Sequence, residues 1–143
     1  MNRRFLMQAA ALASALPFSW LASAQTASAK PHKIIIQVSD NDPAKWNLAL
    51  NNARNLQEDV GADKVDIEIV AYGPGIGMLK ADATTANRVG DALKGHVRIV
   101  ACENTMRGQK LSRDDMHAGI SYVPAGVTEI MKRQGEGWAY LRP

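Results

Sequence analysis

From residue 32 onward the chain alternates between two hydrophobic rhythms. HKIIIQVS, His32 to Ser39, is a continuous apolar run of the kind a strand buried on both faces carries. The next stretch has a helical period, with Trp46, Ala49, Leu50, Ala53, Leu56 and Val60 on one stripe. Asp42 is placed to cap this helix, Pro43 suits its first position, and Gly61 suits its end. KVDIEIVAYG, Lys64 to Gly73, begins by alternating, ends apolar, and predicts a second strand. GPGIGMLKAD predicts a loop with a short turn, and Ala83 to Gly95 a helix with Val89, Ala92 and Leu93 turned inward. HVRIVAC gives a third strand, NTMRGQKLS a short helix, and Ser112 with Asp115 a capping box. A short strand at Ile120 to Val123, a helix with Val127, Ile130 and Met131 on its inner face, and a last strand in GWAYLRP complete the pattern.

Strands alternating with helices of this size predict βαβ units, a mainly parallel sheet covered on both faces, and right-handed crossovers. In such a sheet ligands gather beyond the carboxyl ends of the strands. Three loops reach that edge: Ser39 to Asp42, Tyr72 to Met78, and Cys102 to Met106.

The first 29 residues belong to a different category. Arg3 and Arg4 precede an Ala/Leu-rich run that ends in small residues, the layout of a cleaved secretory leader. Cleavage fits after Ala24 or after Ala29, and the apolar part is too short and too broken for a membrane anchor. Residues 30–143 then form one domain, exported and expected in the periplasm, by a route that Arg3-Arg4-Phe5-Leu6 leaves open between the general and the twin-arginine pathways. The net charge of +3 falls as well: without Arg3 and Arg4 there are 15 basic residues against 14 acidic ones. That balance, with no basic run, gives no footprint for nucleic acid or for an anionic membrane.

Chemistry narrows to the single cysteine. Cys102 cannot form an internal disulfide, and a leftover thiol in an oxidising compartment points to intermolecular pairing or to a reactive sulfur. A buried cysteine packing as a small hydrophobe is the competing reading. Position favours reactivity, because Cys102 ends a strand just before a short helix that Glu103 or Asn104 would cap, near its positive end. Arg107 and Lys110 would add positive potential and Glu103 would oppose it. Other chemistries lack their residues. GPGIGM matches neither nucleotide fingerprint. His32, His96 and His117 have no ligand spacing, so neither a metal nor a cofactor is expected. No G-x-S-x-G is present, and His117 could approach Cys102 only through the fold. Trp46, Trp138, Tyr122 and Tyr140 are expected in the core or at an oligomer interface.

HKIIIQVSDNDPAKWNLALNNARNLQ, VDIEIVAYGPGIGML, VRIVACENTM and GISYVPAGVTEIMKRQGEGWAYLRP together resemble the DsrE/DsrF-like family, in particular its small exported, YchN-related members. The resemblance spans the whole of the mature chain. It implies a three-layer α/β/α sandwich around a mainly parallel five-stranded sheet, assembled as a trimer or hexamer. It also implies a sulfur carrier or sulfurtransferase in which Cys102 accepts sulfane sulfur as a persulfide and exchanges it with a donor or acceptor protein. Tyr72, Gly73, Gly75, Asn104, Thr105 and Met106 would line the pocket. Two other readings stay open: a non-catalytic oligomeric binding module with Cys102 as packing, and a redox thiol that pairs with a partner's cysteine.

Overall fold

Each hydrophobic run expected to be a strand forms one. A computed structural model describes residues 29–143, and the expected leader lies outside the described residues but for Ala29. The strands are β1 (His32–Val38), β2 (Val65–Ala71), β3 (Arg98–Cys102), β4 (Ser121–Val123) and β5 (Ala139–Leu141). The helices are α1 (Pro43–Val60), α2 (Ala86–Lys94), α3 (Glu103–Gly108) and α4 (Gly126–Gly135). The five strands form one sheet in the order β4-β3-β2-β1-β5, and every neighbouring pair is parallel.

The strand order explains the layers. From β1 to β4 the chain steps in one direction across the sheet, and right-handed crossovers keep the connecting helices on one face. There Trp46, Ala49 and Leu50 of α1 and Val89 of α2 pack on Ile36, Val38, Ile69 and Ile99. From β4 the path reverses to place β5 beyond β1, so α4 lies on the opposite face. Its Ile130 packs there on the alternate residues Ile35, Val70, Val100 and Val123. The outcome is three layers, the second helical layer being α4.

Helix α1 forms for the reasons its sequence gives. Asp42 Oδ1 accepts the Ala44 N–H at 2.8 Å, Pro43 opens the helix, and Gly61, at φ +96°, ends it with an N–H bond to Gln57. The capping box closes as expected, with the Ser112 N–H 2.7 Å from Asp115 Oδ2.

Four elements differ from expectation. Gly73–Leu79 is a 3₁₀ helix rather than a loop. Helix α2 starts at Ala86 rather than Ala83, since Thr85 is fully buried with its hydroxyl on the Met78 carbonyl. Helix α3 begins at Glu103 because Cys102 is itself the cap. Helix α4 buries Ile130 but leaves Val127 and Met131 58% and 65% exposed. Arg133 and Glu129 share its inner face instead, drawn to a buried carboxylate on β2.

One glycine holds the carboxyl edge together. A Cβ on Gly75 would sit 2.3 Å from the Val38 carbonyl oxygen, so the 3₁₀ helix lies directly on the end of β1. Gly75→Ala is expected to cost about 1–3 kcal/mol by overpacking. Gly108→Ala, where nothing lies within 4 Å of the added carbon, is expected to be neutral or mildly stabilising. Urea denaturation of both variants checks the contrast, and equal midpoints would refute this account of Gly75.

Candidate functional site

Cys102 is both the last residue of β3 and the cap of α3, with extended backbone at φ −78°, ψ 113°. Its neighbour across the sheet is Val123 of β4. Beyond Val123 the chain runs through Pro124, whose carbonyl accepts the Asn104 N–H at 3.1 Å, into α4. The two helices leave in opposite directions. Met106 of α3 belongs to the α1/α2 core, while α4 covers the other face. The carboxyl ends of adjacent parallel strands that feed helices on opposite faces are where open α/β sheets bind ligands. Cys102 stands at that junction.

Its electrostatics follow from what surrounds the sulfur. The residue is 5% exposed, and burial pushes the thiol's pKa up. The Thr105 hydroxyl and the backbone N–H groups of Gly126, Thr105 and Asn104 pull it down, and together they prevail, so it lies below its ordinary value. The Cys102 side chain makes no capping bond of ordinary geometry to α3. The effect is therefore that of several oriented dipoles rather than of one short bond. These dipoles lead over the Arg107 and Lys110 charges expected from the sequence; both residues are exposed, and Arg107 turns to Asn104 Oδ1.

Thr105 is fixed for this work. Its Oγ1 accepts the Gly73 N–H at 2.9 Å, which leaves the hydroxyl proton free to face the sulfur. Gly73 adopts φ +53°, a left-handed conformation that glycine takes readily. The Gly73 carbonyl accepts Gln109 Nε2 at 3.1 Å, so the loop after β2 grips the α3 segment from both sides.

Of the expected lining residues, Thr105 acts on Cys102 through its hydroxyl and backbone and Asn104 through its backbone, while Gly73 joins them through its bond to Thr105 and Tyr72 through its packing on Gly126. Two do not. Gly75 is packed on the end of β1, and Met106 is a core residue on the far face, 5% exposed, because it lies on the inward side of α3. His117 does not approach Cys102: its ring lies beside Gly90 of α2 and its N–H bonds the Leu79 carbonyl. Sequence reasoning missed Gly126. A Cβ there would lie 3.0 Å from Tyr72 Cβ and 3.1 Å from its Cδ1, so only glycine lets the first turn of α4 come down beside the thiol. The Pro-Ala-Gly run ahead of an amphipathic helix was its one signal.

The chain belongs to the DsrE/DsrF-like family, whose model matches residues 32–143. Among solved structures it is similar to a protein of unknown function, MTH1491, from Methanobacterium thermoautotrophicum. That match has 36% identity and a TM-score of 0.75, and covers 78% of this chain and 99% of the other. A conserved protein of unknown function, BT1422, from Bacteroides thetaiotaomicron matches at 18% identity and a TM-score of 0.64, covering 78% and 94%. The ychN protein of E. coli matches at 14% identity and a TM-score of 0.65, covering 78% and 99%; these two likenesses concern the fold alone. A search of curated proteins found no match.

Alkylation of the folded Cys102 by iodoacetamide is expected to reach half its limiting rate at a lower pH than in the unfolded chain. Thr105→Val should slow the reaction at pH 7 by roughly three- to tenfold, the net worth of one hydrogen bond, and Thr105→Ser should restore it. Equal rates in all three proteins would remove the hydroxyl from the site.

Proposed function

We propose that this protein binds sulfane sulfur as a persulfide on Cys102 and passes it to an acceptor thiol. The observation that carries the reading is the position of this thiol, at the end of β3 where α3 begins and beside the start of α4, among N–H groups of both helices that hold its pKa down. A thiolate is the species that attacks sulfane sulfur, and the same dipoles suit the anionic persulfide that results.

With thiosulfate as donor, Sγ attacks the outer sulfur, the new S–S bond forms as the old one breaks, and sulfite leaves with its electron pair. Transfer onward is the same displacement. An acceptor thiolate attacks the outer sulfur and Cys102 departs as thiolate, so no external oxidant or reductant is needed. Tyr72 and Gly73 border the approach to the thiol. The expected leader and assembly complete the proposal: an exported, periplasmic protein working as a trimer or hexamer with a donor or acceptor protein.

The 5% exposure of Cys102 favours a second reading, a non-catalytic binding module in which the cysteine is packing. Intact-protein mass spectrometry of the natively folded chain, before and after thiosulfate or polysulfide, separates the two. A gain of one sulfur atom, lost on reduction and absent in Cys102→Ser, is the expected result. No adduct with either donor would refute the sulfur reading and leave the packing one.

A further inference from the structure

Beneath α4 lies a charged cluster that the chemistry of Cys102 does not use. Glu68, in the middle of β2, is 0% exposed. Its register neighbours are Ile35 on β1, which is apolar, and Arg98 on β3, whose Nε lies 3.5 Å from Glu68 Oε2. From α4, Arg133 Nη2 comes within 2.8 Å of the same oxygen. Arg133 is shared further: its Nε lies 3.0 Å from Glu129 and its Nη1 3.2 Å from Glu136, and its guanidinium stacks 4.7 Å above the Trp138 ring. Three carboxylates thus face two guanidinium groups. Despite these contacts neither Glu68 oxygen, nor Arg133 Nε, has a hydrogen bond of proper geometry. The Glu129 and Glu68 carboxylates converge on one guanidinium, at Arg133 Nε and Nη2.

A buried carboxyl group short of donors, beside a second and partly buried one on the same arginine, is best satisfied by a proton held between them. We propose that Glu68 and Glu129 share one proton, and that its presence seats the first turn of α4 against Cys102. Glu68 O–H donates to a Glu129 oxygen, and Arg133 neutralises the charge that remains. When the proton leaves for solvent, two like charges face each other under α4. The helix is then held less firmly, and with it the Gly126 N–H directed at the thiol. Glu68 and Glu129 are positioning residues for Cys102; neither touches the reacting sulfur.

Titration of Glu68 supports the geometry. Burial first, then the Glu129 bond, push it up to about 7 against the pull of Arg133 and Arg98. An unfolded glutamate releases its proton near ~4.3. The folded state therefore binds the extra proton between those values, and the pair's contribution to stability falls as pH rises through that window.

The inference rests on the reading of Cys102 as a thiolate and not on sulfur transfer, so thiol alkylation tests it separately from sulfur loading. Alkylation rate against pH would be measured in the wild type, Glu68→Gln and Glu129→Gln, with folding checked by circular dichroism. Either amide removes the titrating pair, so the midpoint should move to lower pH. The thiolate equilibrium should change by a factor of roughly 2 to 30, the span of coupling through a packed element. An unchanged midpoint in folded variants, or a thiol inert at every pH, overturns the coupling. Should the variants fail to fold, the wild-type glutamate carboxyl carbons decide by NMR titration. Glu68 titrating near neutral pH is expected, and Glu68 titrating near ~4.3 would overturn the shared proton.

Discussion

The structure depends on the place where the chain reverses direction across its sheet. Four strands are laid down in sequence, and right-handed crossovers leave their helices no choice of face. Among the described residues, the return from β4 to β5 is what sends a helix to the opposite side, so the chain leaves the adjacent ends of β3 and β4 toward opposite faces. That divergence is a consequence of strand order. It also brings two helix starts together, since α3 leaves β3 within one residue and α4 leaves β4 after Pro124 and Ala125. A side chain at the end of β3 must lie between them, and the residue there is Cys102.

What was legible in the sequence was what local rules control. Asp42, Pro43 and Gly61 bound α1 because capping and backbone freedom act within a few residues. The run IIIQV gave β1 because a parallel strand covered on both faces has no wet side to mark. The errors arose where a distant contact decided. Val127 and Met131 have the hydrophobicity of an inner face, yet Glu129 and Arg133 take it because Glu68 lies opposite. Nothing near Glu68 in VDIEIV marks it for burial, yet it is 0% exposed beneath a helix that begins some 58 residues later. Met106 looked like a neighbour of Cys102 by proximity in the chain, and four residues of helix carry it to the other side of the sheet.

The candidate site was legible in the same uneven way. Cys102 was placed by counting to the end of a strand, which is local. Of the groups that act on it, Asn104 and Thr105 were expected because they follow it in the chain, although a loop more than 30 residues earlier holds the Thr105 oxygen; Gly126 was not, because Tyr72 requires a missing side chain there. Glycines of this kind have no periodicity to announce them. Their meaning is steric, and it exists only once the second backbone is in place.

Burial and charge are set against each other at both ends of α4. At its start, removing water from Cys102 disfavours the thiolate, and fixed N–H dipoles more than compensate because they need no reorganisation to act. Under its second turn, removing water from Glu68 disfavours the carboxylate, and the two guanidinium groups do not compensate because Glu129 occupies the same space. The same helix therefore borders an acid weakened by its surroundings, Glu68 on β2, and an acid strengthened by them, Cys102 at the end of β3. Ile130 of this helix covers Ile35 and Val70, while Arg133 and Glu129 on the same face turn to Glu68 of β2. That buried glutamate is kept in the middle of an apolar contact, at a cost in stability that packing alone does not explain.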